Sequence, residues 1–489
     1  MSMVPVTAWA PGVFLTAPLT RGLHCRRRPE GSVLRNHRVR VARGQRPRQN
    51  GVVPPLPMPR ESQVEARFLP VWFTCVASDW LQGPYLYSLF ADRGFSSPLI
   101  AKLFAVGFIS SAALGAVAGR LCDKIGTRRG CLLYCVVCGV SCLLVHSMSI
   151  TALILSRLLG GIADSLLHTA FEAWAIEEHK KWRSSNAELN QLLSRMWSGS
   201  WLVAIATGIL GAAAVSAAPR RLDLDFNLVF GGPVAAFDLA TLCCVVGAAL
   251  LVLLKKDAPE VRPGVGRLDR NDDQWIEGSE TGSLPVLSRS PGSGRLGRSG
   301  KAWKRTMEVI LFGAIVAAFE GALFVFVFSW SPLLLSGWPG LDPHLGLVFS
   351  LFMLCCAGGS VCFKTLSERW SPSRLLFPIL AVAFMSLFAA AYAAGVKYMP
   401  AVLVAFLFFE LSVGMYFPCT SALKSDVVPD RKRALIYSLY RVPLNAFALG
   451  VLLGVPSQTS ALALCGAVIC MVAVWAVLMP SRLTQRMAD

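Results

Sequence analysis

Gly119-Arg-Leu-Cys-Asp123-Lys-Ile-Gly126-Thr-Arg128-Arg129 joins two apolar stretches through a tight basic turn. Glycine permits the reversal because it has no Cβ. Asp123 can accept from a neighbouring helix terminus or pair with an arginine, and Arg128 and Arg129 hold the turn on one side of a bilayer. The register recurs later: in Leu366-Ser-Glu-Arg369-Trp-Ser-Pro-Ser-Arg374, Glu368 and Arg374 are spaced like Asp123 and Arg129. A turn repeated in this way predicts two related halves of membrane-crossing helices.

Working outward, windows of about 20 residues, the length that crosses a hydrocarbon core, place helices at 67–90, 98–121, 130–147, 150–176, 190–216 and 232–254, then at 306–334, 344–366, 374–395, 400–420, 433–454 and 459–480. The expected fold class is an all-α membrane protein, with twelve transmembrane helices in two pseudo-symmetric six-helix bundles, 67–254 and 306–480. Residues 255–305, rich in Gly, Ser, Pro, Arg and Asp, read as a disordered cytoplasmic linker. Residues 481–489 read as a cytoplasmic tail.

Composition agrees with these spans: 54% of residues are apolar and 16% charged, where a soluble domain carries about 25% charged. The net charge of +18 would raise the question of nucleic acid if it formed a surface patch. Instead the bases lie in the amino-terminal segment, the central loop and alternate short loops, as the positive-inside rule requires, so no nucleic-acid partner is expected. If the chain starts inside, the inner loops hold Lys124, Arg128 and Arg129; Lys180, Lys181 and Arg183; Lys364, Arg369 and Arg374; and Lys424, Arg431, Lys432 and Arg433. The outer loops hold Arg93, Arg220, Arg221 and Lys397. Both termini are then cytoplasmic.

Residues 1–66 read as a basic, disordered extension. From Arg21 to Arg60 the single acid is Glu30, the charge balance of an organelle transit peptide, although serine is scarce. A basic tail or a misplaced start site is the competing reading. The plasma membrane is therefore the expected location, with an organelle membrane as the alternative. Residues 4–19 are apolar but interrupted by Pro5, Pro11 and Pro18 and are not counted as a span.

The fourth span carries a row of polar residues. Arg157, Gly161, Asp164, His168 and Glu172 are separated by 4, 3, 4 and 4 residues, which at about 100° per residue puts them on one helix face. A charge at mid-bilayer costs roughly 2.5–3.5 kcal/mol on insertion scales, so such a row is expected to face a cavity or partners. Asp79 in the first span, Glu320 in the seventh, Glu410 in the tenth, and Arg441 and Asn445 in the eleventh extend the set. Arg157 and Gly161 share their spacing with Glu410 and Gly414, as pseudo-symmetric halves would. Mutual pairing that fixes helix packing is the alternative role for these ions. Cys131, Cys135, Cys138 and Cys142 form one face of the third span. Soft-metal binding is one reading; small polarizable residues at a close helix contact is the better one, because no His or Met cluster accompanies them. No nucleophile and base pair or phosphate-cradling glycine loop is recognisable, and His146 and His168 lack metal-site spacing. Neither an enzyme nor a cofactor is expected.

The turn at Gly119, Asp123, Gly126, Arg128 and Arg129 resembles the loop signature of the major facilitator superfamily, and the twelve spans match that architecture over residues 67–480. A narrower likeness rests on Asp79-Trp-Leu-Gln-Gly-Pro-Tyr85, Arg157-Leu-Leu-Gly-Gly161 leading to Phe171-Glu-Ala-Trp174, Gly232-Pro-Val-Ala-Ala-Phe-Asp238, Phe319-Glu320, and Tyr440-Arg441-Val-Pro443-Leu-Asn445. Together these segments resemble the molybdate-anion transporter family. Members of that family begin with an apolar helix where this chain has its arginine-rich segment. The resemblance implies cellular uptake of molybdate, with the first, fourth, seventh and tenth spans lining the pathway. A tetrahedral dianion needs positive charge and several donors in a low dielectric; Arg157 and Arg441, assisted by Gln82, Tyr85 and Asn445, are the expected binding residues. Asp79, Asp164, Glu172, Glu320 and Glu410, with His168 beside them, would repel the anion if ionised. Buried acids take up protons because desolvation disfavours the charged form, so proton-coupled symport by alternating access is expected. The alternatives are a proton-coupled carrier of an organic cation or other small solute, bound by the same acids, and a receptor or scaffold of this fold without transport.

Overall fold

A computed structural model describes residues 60–181, 186–223, 225–254, 295–427, 433–455 and 457–478. The expectations for 1–59, for most of the central linker and for 479–489 lie outside the described residues, as do the surroundings of Gly119 and the side chain of Asp123. Among the described residues the first half holds α1 (Arg60–Gln82), a 3-10 turn at Gly83–Tyr85, the short α2 (Leu86–Ala91), α3 (Ser97–Ile125), α4 (Thr127–Leu144), α5 (Ile150–Lys181), α6 (Asn186–Ala217) and α7 (Val234–Leu253). The second half holds α8 (Arg295–Gly337), α9 (Leu345–Ser367), α10 (Pro372–Gly395), α11 (Met399–Val427), α12 (Arg433–Gly454) and α13 (Gln458–Leu478).

Ten of these helices are long and apolar enough to cross a membrane. Of the other two long helices, α12 holds a shorter apolar stretch, Tyr440–Gly454, and α1 carries Asp79 in its last turn. The pairs in contact repeat between halves. α3 packs on α5, α4 on α5 and α7, and α1 on α6 and α7; in the same order, α9 packs on α11, α10 on α11 and α13, and α8 on α12 and α13. Each half is therefore the same bundle, with α8 standing where α1 stands.

Val136, Val140 and Leu143 on α4, and Met385 and Phe388 on its counterpart α10, are exposed at helical spacing, as a lipid-facing stripe is. α8 is the opposite case: 83% of its most apolar window is buried, against 33% for α7. That places α8 at the centre and α7 at the rim.

Close helix crossings rest on small residues. At Gly161 an added Cβ would lie 2.5 Å from the Gly107 carbonyl oxygen, and at Gly414 it would lie 2.0 Å from that of Cys356. α5 thus meets α3 backbone to backbone, and α11 meets α9 in the same way. The α3–α4 turn needs Gly126, whose φ is +92°. Arg128 donates to the Leu251 carbonyl at the end of α7, and Thr127 donates to Glu177.

Four features depart from the expected layout. α1 begins at Arg60 and α8 at Arg295, within the segments 1–66 and 255–305 expected to be disordered, because both helices run on beyond their apolar windows. A β-hairpin, β1 (Arg221–Asp223) and β2 (Leu228–Phe230), stands between α6 and α7, and Val229 donates to the His146 carbonyl at 2.8 Å. Lys424, expected in a loop, lies within α11 because that helix continues past residue 420 to Val427. The halves are joined at the end that bears the hairpin. Tyr85 Oη donates to the Pro343 carbonyl and accepts from Gly346 N–H, and Ser350 Oγ donates to the Ile205 carbonyl at 2.8 Å. Phe104 and Tyr87 meet Phe328, Phe108 stacks on Phe324, and Trp80 lies against Phe349.

Candidate functional site

Asp79, Gln82, Gly107, Phe108, Ser111, Cys138, Arg157, Gly161 and Asp164 line a cavity between α1, α3, α4 and α5. Its free volume of about 20 Å³ has room for about one water, not for an ion of four oxygens. In this arrangement the polar side chains leave little free space between them.

Arg157 is buried over Phe104, with its Cζ 5.9 Å from the ring centroid. Its Nε has no hydrogen-bond partner among the described residues. Gly107 makes room for it: a Cβ there would lie 2.6 Å from Arg157 Nη2. Asp164 is held by Ser111, whose Oγ donates to Oδ2 at 2.7 Å, while Oδ1 has no hydrogen-bond partner and stands 3.8 Å from His168 Nδ1.

The second half continues this set. Arg441, half-buried on α12, lies within electrostatic range of both Asp164 and Glu320. Glu320, fully buried on α8, has Lys424 Nζ 3.8 Å from its Oε1 and accepts from Tyr416 Oη at 3.4 Å; its Oε2 has no partner. Arg157, Asp164, Arg441, Glu320 and Lys424 therefore form a row of alternating charge, drawn in turn from α5, α5, α12, α8 and α11. Asp79 adds an acid beside Arg157 and Asp164. The row passes from one half to the other.

Other expected site residues sit elsewhere. Tyr85 spends its hydroxyl on the second half, as above. Gln82 borders the cavity but donates to the Ser78 carbonyl at 2.8 Å and to Cys138 Sγ at 3.5 Å. His168 turns away from the cavity, stacking on Trp197 at 6.2 Å with Trp72 at its edge. Glu172 and Asn445 are half-buried without hydrogen bonds among the described residues. Glu410 accepts from Cys356 Sγ at 2.9 Å in the α9–α11 crossing. It is the counterpart of Arg157, since Gly414 abuts Cys356 just as Gly161 abuts Gly107. The cysteines of α4 pack against α1 and α7: Cys135 Sγ is 3.7 Å from Cys75 Sγ, and Cys244 lies against Gly139.

Sequence reasoning missed Lys424, Ser111, Cys138, Cys356 and Tyr416. For Lys424 a signal existed: Tyr416, Thr420 and Lys424 fall at i, i+4 and i+8 and continue the face of α11. Outside the spans, His146 Nε2 stands 2.9 Å from Asp238 Oδ1 beside the hairpin, and this hydrogen bond pushes the imidazole above its ordinary value against the opposing effect of burial.

A profile of the family described as sugar transporters with 12 TM segments matches residues 57–258 and 290–408. The chain is 31% identical over 406 residues to the molybdate-anion transporter of Xenopus tropicalis, covering 81% of this chain and 79% of that protein. It is also 31% identical over 421 residues to the molybdate-anion transporter of Danio rerio, covering 82% and 81%. Among solved structures, the D-xylose–proton symporter is similar with a TM-score of 0.60 at 12% identity, over 87% of this chain and 98% of that one. A nucleoside transporter is similar with a TM-score of 0.57 at 13% identity, over 86% and 100%. These structures share the fold, and the sequence relatives fix the kinship: the chain is a multi-pass membrane protein of the major facilitator fold and belongs to the molybdate-anion transporter family.

Proposed function

We propose that the chain takes up molybdate together with protons, through alternating access of the halves 67–254 and 306–480 about the alternating-charge row. The observation that carries the reading is that Arg157 and Arg441 both come within electrostatic range of Asp164, while neither makes an ion-pair contact among the described residues. A guanidinium cannot discard its charge, so Arg157, buried against the polar pocket, and Arg441, half-buried within electrostatic range of the same acid, suit an oxyanion. The relatives are named for molybdate. Asp79, Asp164 and Glu320 are interleaved with the bases and are positioned to take up protons as the anion enters. The basic turn at Gly126 then faces the cytoplasm, and the hairpin end faces outside.

Purified protein in vesicles tests this. Uptake of labelled molybdate should saturate, be inhibited by tungstate and accelerate when the outside is acid. Inhibition by organic cations, with none by tungstate, would indicate the cation carrier instead. Arg441→Gln should abolish saturable uptake while leaving membrane insertion unchanged, because the row loses the base shared by both halves. Full uptake in that variant excludes the assignment.

A further inference from the structure

Lys424 lies in the last turn of α11, where a lysine ordinarily extends its ammonium to water. Here the side chain is only 10% exposed and Nζ turns inward to within 3.8 Å of Glu320 Oε1, on a carboxylate with no exposure at all. The same Oε1 receives the Tyr416 hydroxyl at 3.4 Å, and Oε2 has no hydrogen-bond partner. A buried ion pair offsets the desolvation of both ions only when its geometry is tight and its remaining lone pairs are bonded. The contact is long and one oxygen of the carboxylate is left without a partner, a poor arrangement for a purely structural role of Glu320.

The charged and titratable groups that bear on Glu320 are Lys424 and Tyr416 from α11 and Arg441 from α12. Two bases thus flank one carboxylate in the row that Arg157 begins. A carboxylate is the protein group that most resembles an oxyanion, offering anionic oxygens to the same donors. We propose that Lys424 is a third basic residue of the oxyanion site, and that Glu320 occupies its ammonium until the anion arrives. On entry, a proton from the aqueous side forms an O–H bond on Glu320, the neutral acid releases Lys424, and the ammonium turns, with Arg441 nearby, to the anion's oxygens. The inference rests on the molybdate reading above.

Equilibrium binding of labelled molybdate to the purified full chain, with unfolding midpoints as a check on folding, tests the proposal. Lys424→Gln should weaken binding by about tenfold or more, and Lys424→Arg should retain it to within about threefold, since the charge remains. Glu320→Gln should bind at least as tightly as the parent chain, with a flattened dependence on pH. The decisive variant is Glu320→Gln with Lys424→Gln, which removes both members of the pair and so leaves neither facing the other's vacancy; its unfolding midpoint checks that it folds. It should bind as weakly as Lys424→Gln. Recovery of the parent affinity in the double variant would reduce Lys424 to a counter-ion of Glu320 and overturn the inference while leaving the molybdate reading intact. A parent chain that binds no molybdate would overturn both.

Discussion

At the scale of single residues, the site depends on what is absent as much as on what is present. Arg157 fits between α3 and α5 because residue 107 has no side chain: an added Cβ would come within 2.6 Å of Nη2 and 3.3 Å of Cζ. The guanidinium has Phe104 along one flank and the polar cavity along another, so the one direction in which it can yield is into the pocket. Gly107→Ala should therefore leave the bundle folded but displace the base, raising KM for molybdate by about tenfold, equivalent to roughly 1.4 kcal/mol of binding. Transport kinetics in vesicles check this, and an unchanged KM would mean that Arg157 moves without consequence. The counterpart in the second half follows the opposite logic. Cys356 stands where Gly107 stands and donates its S–H to Glu410, so one backbone pattern houses a base in one half and an acid in the other.

At the scale of elements, helical period and neighbour must be kept apart. The four- and three-residue spacing of Arg157, Gly161, Asp164, His168 and Glu172 gave their shared face correctly, because the period of a helix is fixed by its hydrogen bonds. It could not say what stands opposite. α5 crosses its neighbours at an angle, so the face meets the cavity at Arg157 and Asp164 and the aromatic contact of α1 and α6 at His168. Lys424 was misread for a different reason: a lysine at the edge of an apolar window looks like the start of a loop until its partner on α8 is known. The hairpin was illegible because strands of three residues carry no period to read. It supplies a pH test of its own. His146 is raised above its ordinary value by Asp238, so its contribution to holding the hairpin is fully present below the unfolded value of about 6.5. That contribution is lost as pH rises through the raised folded value. Hydrogen exchange at Val229, which donates to the His146 carbonyl, should quicken over that window by more than the intrinsic pH effect. Asp238→Asn should remove the excess.

At the scale of the whole molecule, the hairpin end is where the halves are fastened and the charged row is what they enclose. Tyr85 contributes both a donor and an acceptor to the second half, so Tyr85→Phe should loosen that end. A cysteine placed at Ser111, which lines the cavity one turn beyond Phe108 on α3, should then react faster with an impermeant maleimide than in the Tyr85 background; equal rates would assign closure to the rings alone. The enclosed charge sets the energetics of the cycle. Among the described residues, Arg157, Arg441 and Lys424 are matched in number by Asp79, Asp164 and Glu320, so these six groups, fully ionised, are together neutral. A dianion entering the row would leave two uncompensated negative charges near mid-bilayer, at a cost of roughly 2.5–3.5 kcal/mol each even on the mildest scale. Two protons taken up by the acids remove that cost. Uptake should therefore move two protons with each molybdate and carry no net charge. In vesicles, a potassium diffusion potential of either sign should leave the initial rate unchanged, whereas an inward proton gradient should accelerate it. Acceleration by an inside-negative potential would mean that more than two protons accompany the anion, and that the row does not return to neutrality when it binds.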